Sequence, residues 1–228
     1  MNDKKISFIM CTNDDRAADE ACLYIDRLDI PEGYEIEIKR ITDAASMAEG
    51  YNRAMNSTDS RYKIYLHQDV MIIKRDFILH IISLFADSHI GLIGMVGCPT
   101  LPQNGIMWNT DRVGAAYAYD GSGLIEWNLC MGVNNAFYDV EAVDGFLMAT
   151  QYDIPWREDI FGGFDFYDAS QSMEFIKRGY RVVVPAQDPP WTLHDCGLNN
   201  YRSYFRYREV FIENYKDSMK CFTEGDQC

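Results

Sequence analysis

Short apolar runs that alternate with amphipathic stretches predict an α/β domain with a mostly parallel central sheet and helices on both faces. Two further observations agree with it. The chain has 228 residues, of which 47% are hydrophobic and 25% charged, enough for one sizeable core. Its polar breaks "TND", "ITD" and "HQD" each follow an apolar run, where parallel strands present their carboxyl ends and where ligands bind in such sheets.

The elements follow in order. "ISFIMCT" (Ile6 to Thr12) is a strand that ends in a polar turn. A helix comes next, with Ala17, Ala21, Tyr24, Ile25 and Leu28 at helical spacing and Pro31 beyond its end. "YEIEIKRI" alternates as a strand, with Ile36 and Ile38 on one face. Asp43 stands where it can cap a helix whose face carries Met47, Tyr51, Ala54 and Met55. "YKIYLHQDVMI" (Tyr62 to Ile72) is apolar except at its centre, and a buried charge without a partner is costly. Either the strand stops at His67 and its tip meets water, or a cation sits there. A helix over 76–85 and the strand "IGLIGMVG" complete the first half, and right-handed crossovers between such strands give the parallel sheet.

The second half is less regular. "CPTLPQNGIMW" and "YDGSG" are loops, which in a compact domain are often functional. "VEAVDGFLMAT" is a strand that reaches Asp144 and Gly145. A helix begins near Asp168 and ends at a Gly179 cap, followed by the strand "YRVVVP", then "WTLHDCG" and an aromatic, basic last helix.

A net charge of −14 without a long basic run excludes nucleic acid as the main partner. A nucleotide diphosphate would need a divalent cation between it and nearby carboxylates. No stretch approaches the roughly 20 apolar residues of a membrane span, and the first residues lack a signal-peptide core. Seven dispersed cysteines without a CxxC pair fit reduced thiols, so a cytoplasmic protein is expected. The 14% of aromatic residues serve the core by default, although rings also stack on a base or a sugar.

Two groups of residues can carry chemistry. His67 and Asp69 are two apart and project to one side of an extended backbone, and His194, after a later strand, can be a third ligand. That set suits Mn²⁺ or Zn²⁺ better than Mg²⁺; hydrogen-bonded structural histidines are the plain alternative. The second group is acidic: Asp153, Glu158, Asp159, Asp165 and Asp168. A helix dipole at Asp168 favours the ionised form, which can act as a general base, with a simple N-cap as the alternative and Asp165 as the other candidate base. Arg202, Arg206 and Arg208 form a solvated face that can also reach a phosphate or an anionic membrane surface.

Four blocks, in this order, resemble glycosyltransferases of the GT-A fold on the family-2 pattern, and especially a small group named after a streptomycin-biosynthesis protein. They are "SFIMCTND", "GYNRAMNSTDSRYKIYLHQDV", "VDGFLMAT" and "FGGFDFYDASQSMEFIKRGYRV". The resemblance implies a nucleotide-sugar donor, with a UDP-sugar favoured, contacted by Thr12, Asn13, Asp43, Asn52, Asp69 and Asp144. It implies a divalent cation, Mn²⁺ or Mg²⁺, on Asp69 with His67 and His194. It also implies an inverting transfer to a glycan or lipid-linked acceptor, with Asp168 as base. One domain would then divide into a nucleotide-binding half (1–97), an acceptor half (98–198) and a C-terminal helix and tail (199–228). Two positions depart from the pattern: His67 stands for the usual Asp, and Tyr167 for the usual acid before the base. A zinc-dependent hydrolase using His67, Asp69 and His194, and a non-catalytic sugar-nucleotide binder, are the rival expectations.

Overall fold

The computed structural model describes residues 1–119, 121–129, 136–197 and 203–219. The main sheet runs β2 (Glu35–Ile41), β1 (Asn2–Cys11), β3 (Ser60–Leu66), β11 (Leu147–Thr150), β5 (Ile90–Gly94), β12 (Arg181–Pro185) and β9 (Phe137–Asp139). The β1–β2, β1–β3 and β5–β12 pairs are parallel, as the alternating pattern requires. Late in the chain, β11 inserts antiparallel between β3 and β5, and β9 closes the edge antiparallel, so the sheet is mixed.

Strand alternation supplies both faces. Ile6 and Phe8 pack with Ala18, Ala21 and Ile25 of α1 (Asp15–Ile25) and with Phe77 and Ile81 of α3 (Phe77–Leu84). Ile9, Tyr65 and Met148 point the other way, onto Met47, Tyr51 and Ala54 of α2 (Met47–Asn56) and Phe175 of α4 (Tyr167–Lys177). Apolar burial on both faces is the main force that holds the layers together.

A second, smaller sheet runs β10 (Ala142–Val143), β6 (Val96–Cys98), β7 (Val113–Tyr119), β13 (Thr192–His194) and β4 (Val70–Ile72), with β8 (Leu124–Leu129) paired to β7. Three of the short segments that cross from one sheet to the other bear on the site: His67–Asp69 between β3 and β4, Met95 between β5 and β6, and Asp144–Phe146 between β10 and β11. At such a seam the ladder is interrupted, and polar side chains can stand among buried strands. The last helix, α5 (Tyr204–Tyr215), buries Tyr207, Phe211 and Tyr215. Among the described residues, no helix is long and apolar enough to cross a membrane.

Two local expectations are corrected. The cap of α2 is Ser46, whose side chain accepts from the Glu49 N–H while the Glu49 carboxylate accepts from the Ala45 N–H; Asp43 instead pairs with Arg53 at the surface. The cap position of α4 is Phe166, held left-handed at φ 61°, which places Asp168 inside the first turn rather than at the cap.

Candidate functional site

The site is built at the seam. His67 and Asp69 come together through a turn closed by the Val70 N–H on the His67 carbonyl (3.3 Å), not along an extended strand. The backbone fixes that turn from two sides. The His67 N–H donates to the Phe146 carbonyl (2.9 Å), and the Asp195 N–H donates to the Asp69 carbonyl (2.9 Å). Antiparallel pairing of β13 with β4 sets His194 opposite Val70, and the Phe146 ring stacks on His194 at 5.2 Å.

One ligand atom each from His67, Asp69 and His194 lies within 4.8 Å of the others. His67 Nδ1 is 3.4 Å from His194 Nε2, which is itself 3.4 Å from Asp69 Oδ1. That carboxylate oxygen is buried and makes no hydrogen bond. A buried carboxylate oxygen that has only the His194 contact, and no well-formed hydrogen bond, is costly unless a cation or donor meets it. Burial, reinforced by His194, pushes the His67 imidazole down to about 4 against the pull of Asp69, so it is neutral and able to ligate. Burial raises the Asp69 carboxyl, but contact with His194 and the charges of both rings outweigh it and hold the group below its ordinary value. The three residues therefore fit a divalent cation.

Two cavities meet at this point, sharing His67 and Phe164. The first, about 260 Å³, lies beyond the carboxyl ends of β1, β2 and β3 and takes in Thr12, Asn13, Thr42, Gln68 and Asp69. Thr12 Oγ1 is buried without a partner, whereas Asn13 is tied to Gln68, which accepts from the Asn13 and Asp14 N–H groups (2.8 and 2.9 Å). The second, about 640 Å³, takes in Asp144, Asp165 and Asp168 with a set of aromatic rings.

Asp168 accepts from the Gly145 and Ala169 N–H groups at 2.9 and 2.8 Å. The pull of the helix start is outweighed. Burial, followed by the charge of Asp144, pushes the Asp168 carboxyl up to about 7, more than those N–H groups bring it down. Burial also raises Asp144, against the opposing effects of His194, the Phe146 N–H and the Trp108 indole.

The remaining candidates fall elsewhere. Asp43 lines neither cavity. Asn52 is buried in a reciprocal bond with the Trp156 backbone, donating to its carbonyl (2.9 Å) and accepting from its N–H (2.8 Å). Asp165 accepts a hydrogen bond from Ser203. In the rest of the acidic group, Asp153 pairs with the buried Lys63 at 2.6 Å and Asp159 with Arg157 at 2.8 Å. Arg208 donates to the Asn104 carbonyl (2.7 Å), Arg206 lies over the Tyr207 ring, and Arg202 falls outside the described residues. Tyr167 is the residue whose contribution the sequence does not disclose: its hydroxyl lies 2.6 Å from His67 Nε2.

Comparison with solved structures identifies the fold. The mannosyltransferase PcManGT from Pyrobaculum calidifontis, in complex with GDP-Man and Mn²⁺, superposes with a TM-score of 0.55 at 14% identity, covering 93% of this chain and 63% of that one. Residues 1–349 of S. aureus TarS in complex with UDP-GlcNAc give a TM-score of 0.57 at 10% identity, covering 96% and 68%. The same TarS segment in another crystal structure gives 0.53 at 10% identity, with 84% and 60% covered. This chain thus spans about three-fifths of the length of several of its structural neighbours. No curated protein matches its sequence. The architecture is the GT-A fold, and because residues 7–215 match its sequence profile, the chain belongs to the family described as "Glycosyltransferase like family".

Proposed function

We propose that the chain transfers a sugar from a nucleotide-diphosphate donor, with UDP favoured, to an acceptor hydroxyl with inversion. One observation carries this reading: the cavity that holds the Asp69 oxygen without a hydrogen bond shares His67 and Phe164 with a second cavity that holds Asp168. A donor in the first and an acceptor in the second would meet at their shared wall. PcManGT is described with GDP-Man and Mn²⁺ and TarS with UDP-GlcNAc, which supports a nucleotide-sugar donor for this chain too.

In this reading Thr12 and Asn13 meet the base and ribose. His67, Asp69 and His194 would hold the divalent cation, which when bound neutralises charge on the leaving diphosphate. Asp168 accepts the proton of the acceptor hydroxyl. The new bond forms between the acceptor oxygen and the anomeric carbon, while the bond to the diphosphate oxygen breaks on the opposite face and the diphosphate leaves with the electron pair. A single displacement of this kind inverts the anomeric centre. The dispersed thiols keep the proposed setting cytoplasmic.

The test is calorimetric titration of UDP with Mn²⁺ and then with chelator, on wild type and Asp69→Ala. Binding that needs both the metal and Asp69 supports the transferase. Tightly held zinc without affinity for any nucleotide diphosphate would favour the hydrolase, and nucleotide binding without turnover on any sugar donor would favour the binder.

A further inference from the structure

The walls of the second cavity combine two features that the transfer chemistry does not require. The first is aromatic. Trp108 and Trp127 meet edge to face at 5.1 Å, and the Arg112 guanidinium lies 5.0 Å from the Trp108 ring while donating to its carbonyl (2.9 Å). On the other side, Phe205 and Phe164 stand at the wall 61% and 58% exposed, a costly placement for rings with no part in the core. Tyr204 meets Phe205 edge to face at 5.7 Å. Rings half-buried or exposed around a cavity offer flat apolar surfaces with polar groups close by.

The second feature is charge. Asp144, Asp165 and Asp168 all line this cavity, and among the described residues no Lys or Arg does. The two features adjoin, because the Trp108 indole lies close enough to Asp144 to pull its carboxyl down against burial. The two histidines on the wall belong to the cation cluster, and a cation held there would be offset by the donor's diphosphate. An acceptor there meets three carboxyl groups, two of them raised by burial and one of those, Asp168, also by the charge of Asp144, and among the described residues no lining Lys or Arg. An acceptor carrying a phosphate or carboxylate would find no lining cation to pair with it and would add to that crowding, which is how a site rejects a ligand as well as selects one.

We propose that the second cavity is the binding site for a non-anionic carbohydrate, whose apolar C–H groups pack against the Trp108, Trp127 and Phe205 rings and whose hydroxyls reach Asp165 and Asp168. This assignment rests on the transferase reading and adds to it the class of acceptor. The carboxylates accept hydrogen bonds from hydroxyls in the plane of the sugar, and the rings cover the face that has no hydroxyls to satisfy. Aromatic walls alone would suit a lipid as well; three carboxylates beneath them favour a polyhydroxylated ligand.

The experiment uses the full chain with Mn²⁺ and UDP present. Methyl glucoside, galactoside and mannoside are titrated beside their matched uronic acids, which differ only in a carboxylate at C6. Tryptophan fluorescence is the direct readout, since Trp156 and Trp191 are buried and Trp108 and Trp127 respond to the cavity. The expected result is saturable change with at least one neutral glycoside, at least tenfold tighter than with its uronic acid, and weakened at least fivefold in Phe205→Ala. Phe205 is exposed, so that variant keeps the fold, and unchanged UDP affinity checks it. A uronic acid that binds as well as its neutral partner overturns the proposal. So does neutral binding indifferent to Phe205→Ala, or the absence of any glycoside binding while UDP still binds. Failure of UDP itself to bind overturns the transferase reading, and the acceptor assignment with it.

Discussion

His67 Nε2 and the Tyr167 hydroxyl are 2.6 Å apart, although 100 residues separate them in the chain. These are the two positions at which the sequence departs from the pattern it resembles, and the contact joins them. A ligating imidazole needs its second nitrogen held. With Nε2–H donated to the Tyr167 oxygen, Nδ1 keeps its lone pair toward His194 and Asp69. Burial pushes the Tyr167 phenol well above its ordinary range, so the contact joins two neutral groups, and the phenol accepts through an oxygen lone pair. Tyr167→Phe should therefore lower Mn²⁺ affinity about 10–100-fold, the usual cost of losing such a partner. Titration of Mn²⁺ followed by electron paramagnetic resonance measures it without turnover. Unchanged affinity would mean that His67 is not a ligand.

Asp168→Asn keeps the shape of the cavity but removes the base, and its one amide oxygen can keep only one of the bonds from the Gly145 and Ala169 N–H groups. Transfer should fall by about 10²–10⁴ while UDP affinity stays within about twofold. In wild type, a carboxyl raised to about 7 gives a rate that climbs as pH rises through that value and then levels. The pH profile of kcat/KM reads it. A profile already flat from pH 5 upward would transfer the role to Asp165.

The same burial links Asp168 to stability. Its folded pKa, about 7, lies above the ordinary 3.8, so between those values the native state holds a proton that the unfolded chain has released. Stability from this group is full below about pH 4 and is lost as pH rises toward 7; Asp144, raised as well, acts in the same sense. Asp168→Asn escapes that loss. Its melting temperature relative to wild type should rise between pH 4 and pH 8, measurable by scanning calorimetry. An equal offset at both pH values would show that the ionised carboxylate is not penalised by its surroundings.

The parts of this fold that were legible are those written locally. Apolar periodicity marked β1, α1, β3 and α3, and the break at "HQD" marked the end of β3, because a buried strand cannot carry those side chains without a partner. The Ser46-x-x-Glu49 spacing of a capping box is equally local, three residues beyond Asp43. Non-local facts were hidden. Nothing near Leu147 says that it will insert antiparallel beside Leu66. The ionisation of Asp168 depends on burial and on Asp144, 24 residues earlier, whereas the helix dipole is a local and weaker argument. The resemblance implies Asn52 as a donor contact, but its bonds to the Trp156 backbone close 104 residues away.

Gly145 sits between the two carboxylates and has no room for a side chain. A Cβ there would overlap the Tyr167 phenol and come within 3.0 Å of Asp168 Cβ. Both neighbours are held: Tyr167 by His67, and Asp168 by the Gly145 N–H itself. Relief would have to come from moving α4, which is packed through Met173 and Phe175 into the two apolar layers. Overpacking of this kind costs about 1–3 kcal/mol. Gly145→Ala should therefore lower the melting temperature by several degrees and, in the protein that remains folded, weaken Mn²⁺ binding and transfer together, since one displaced helix start carries both Tyr167 and Asp168. Loss of transfer with metal affinity intact would mean that α4 shifts without dragging Tyr167 from His67. In that case the two halves of the site would be positioned independently.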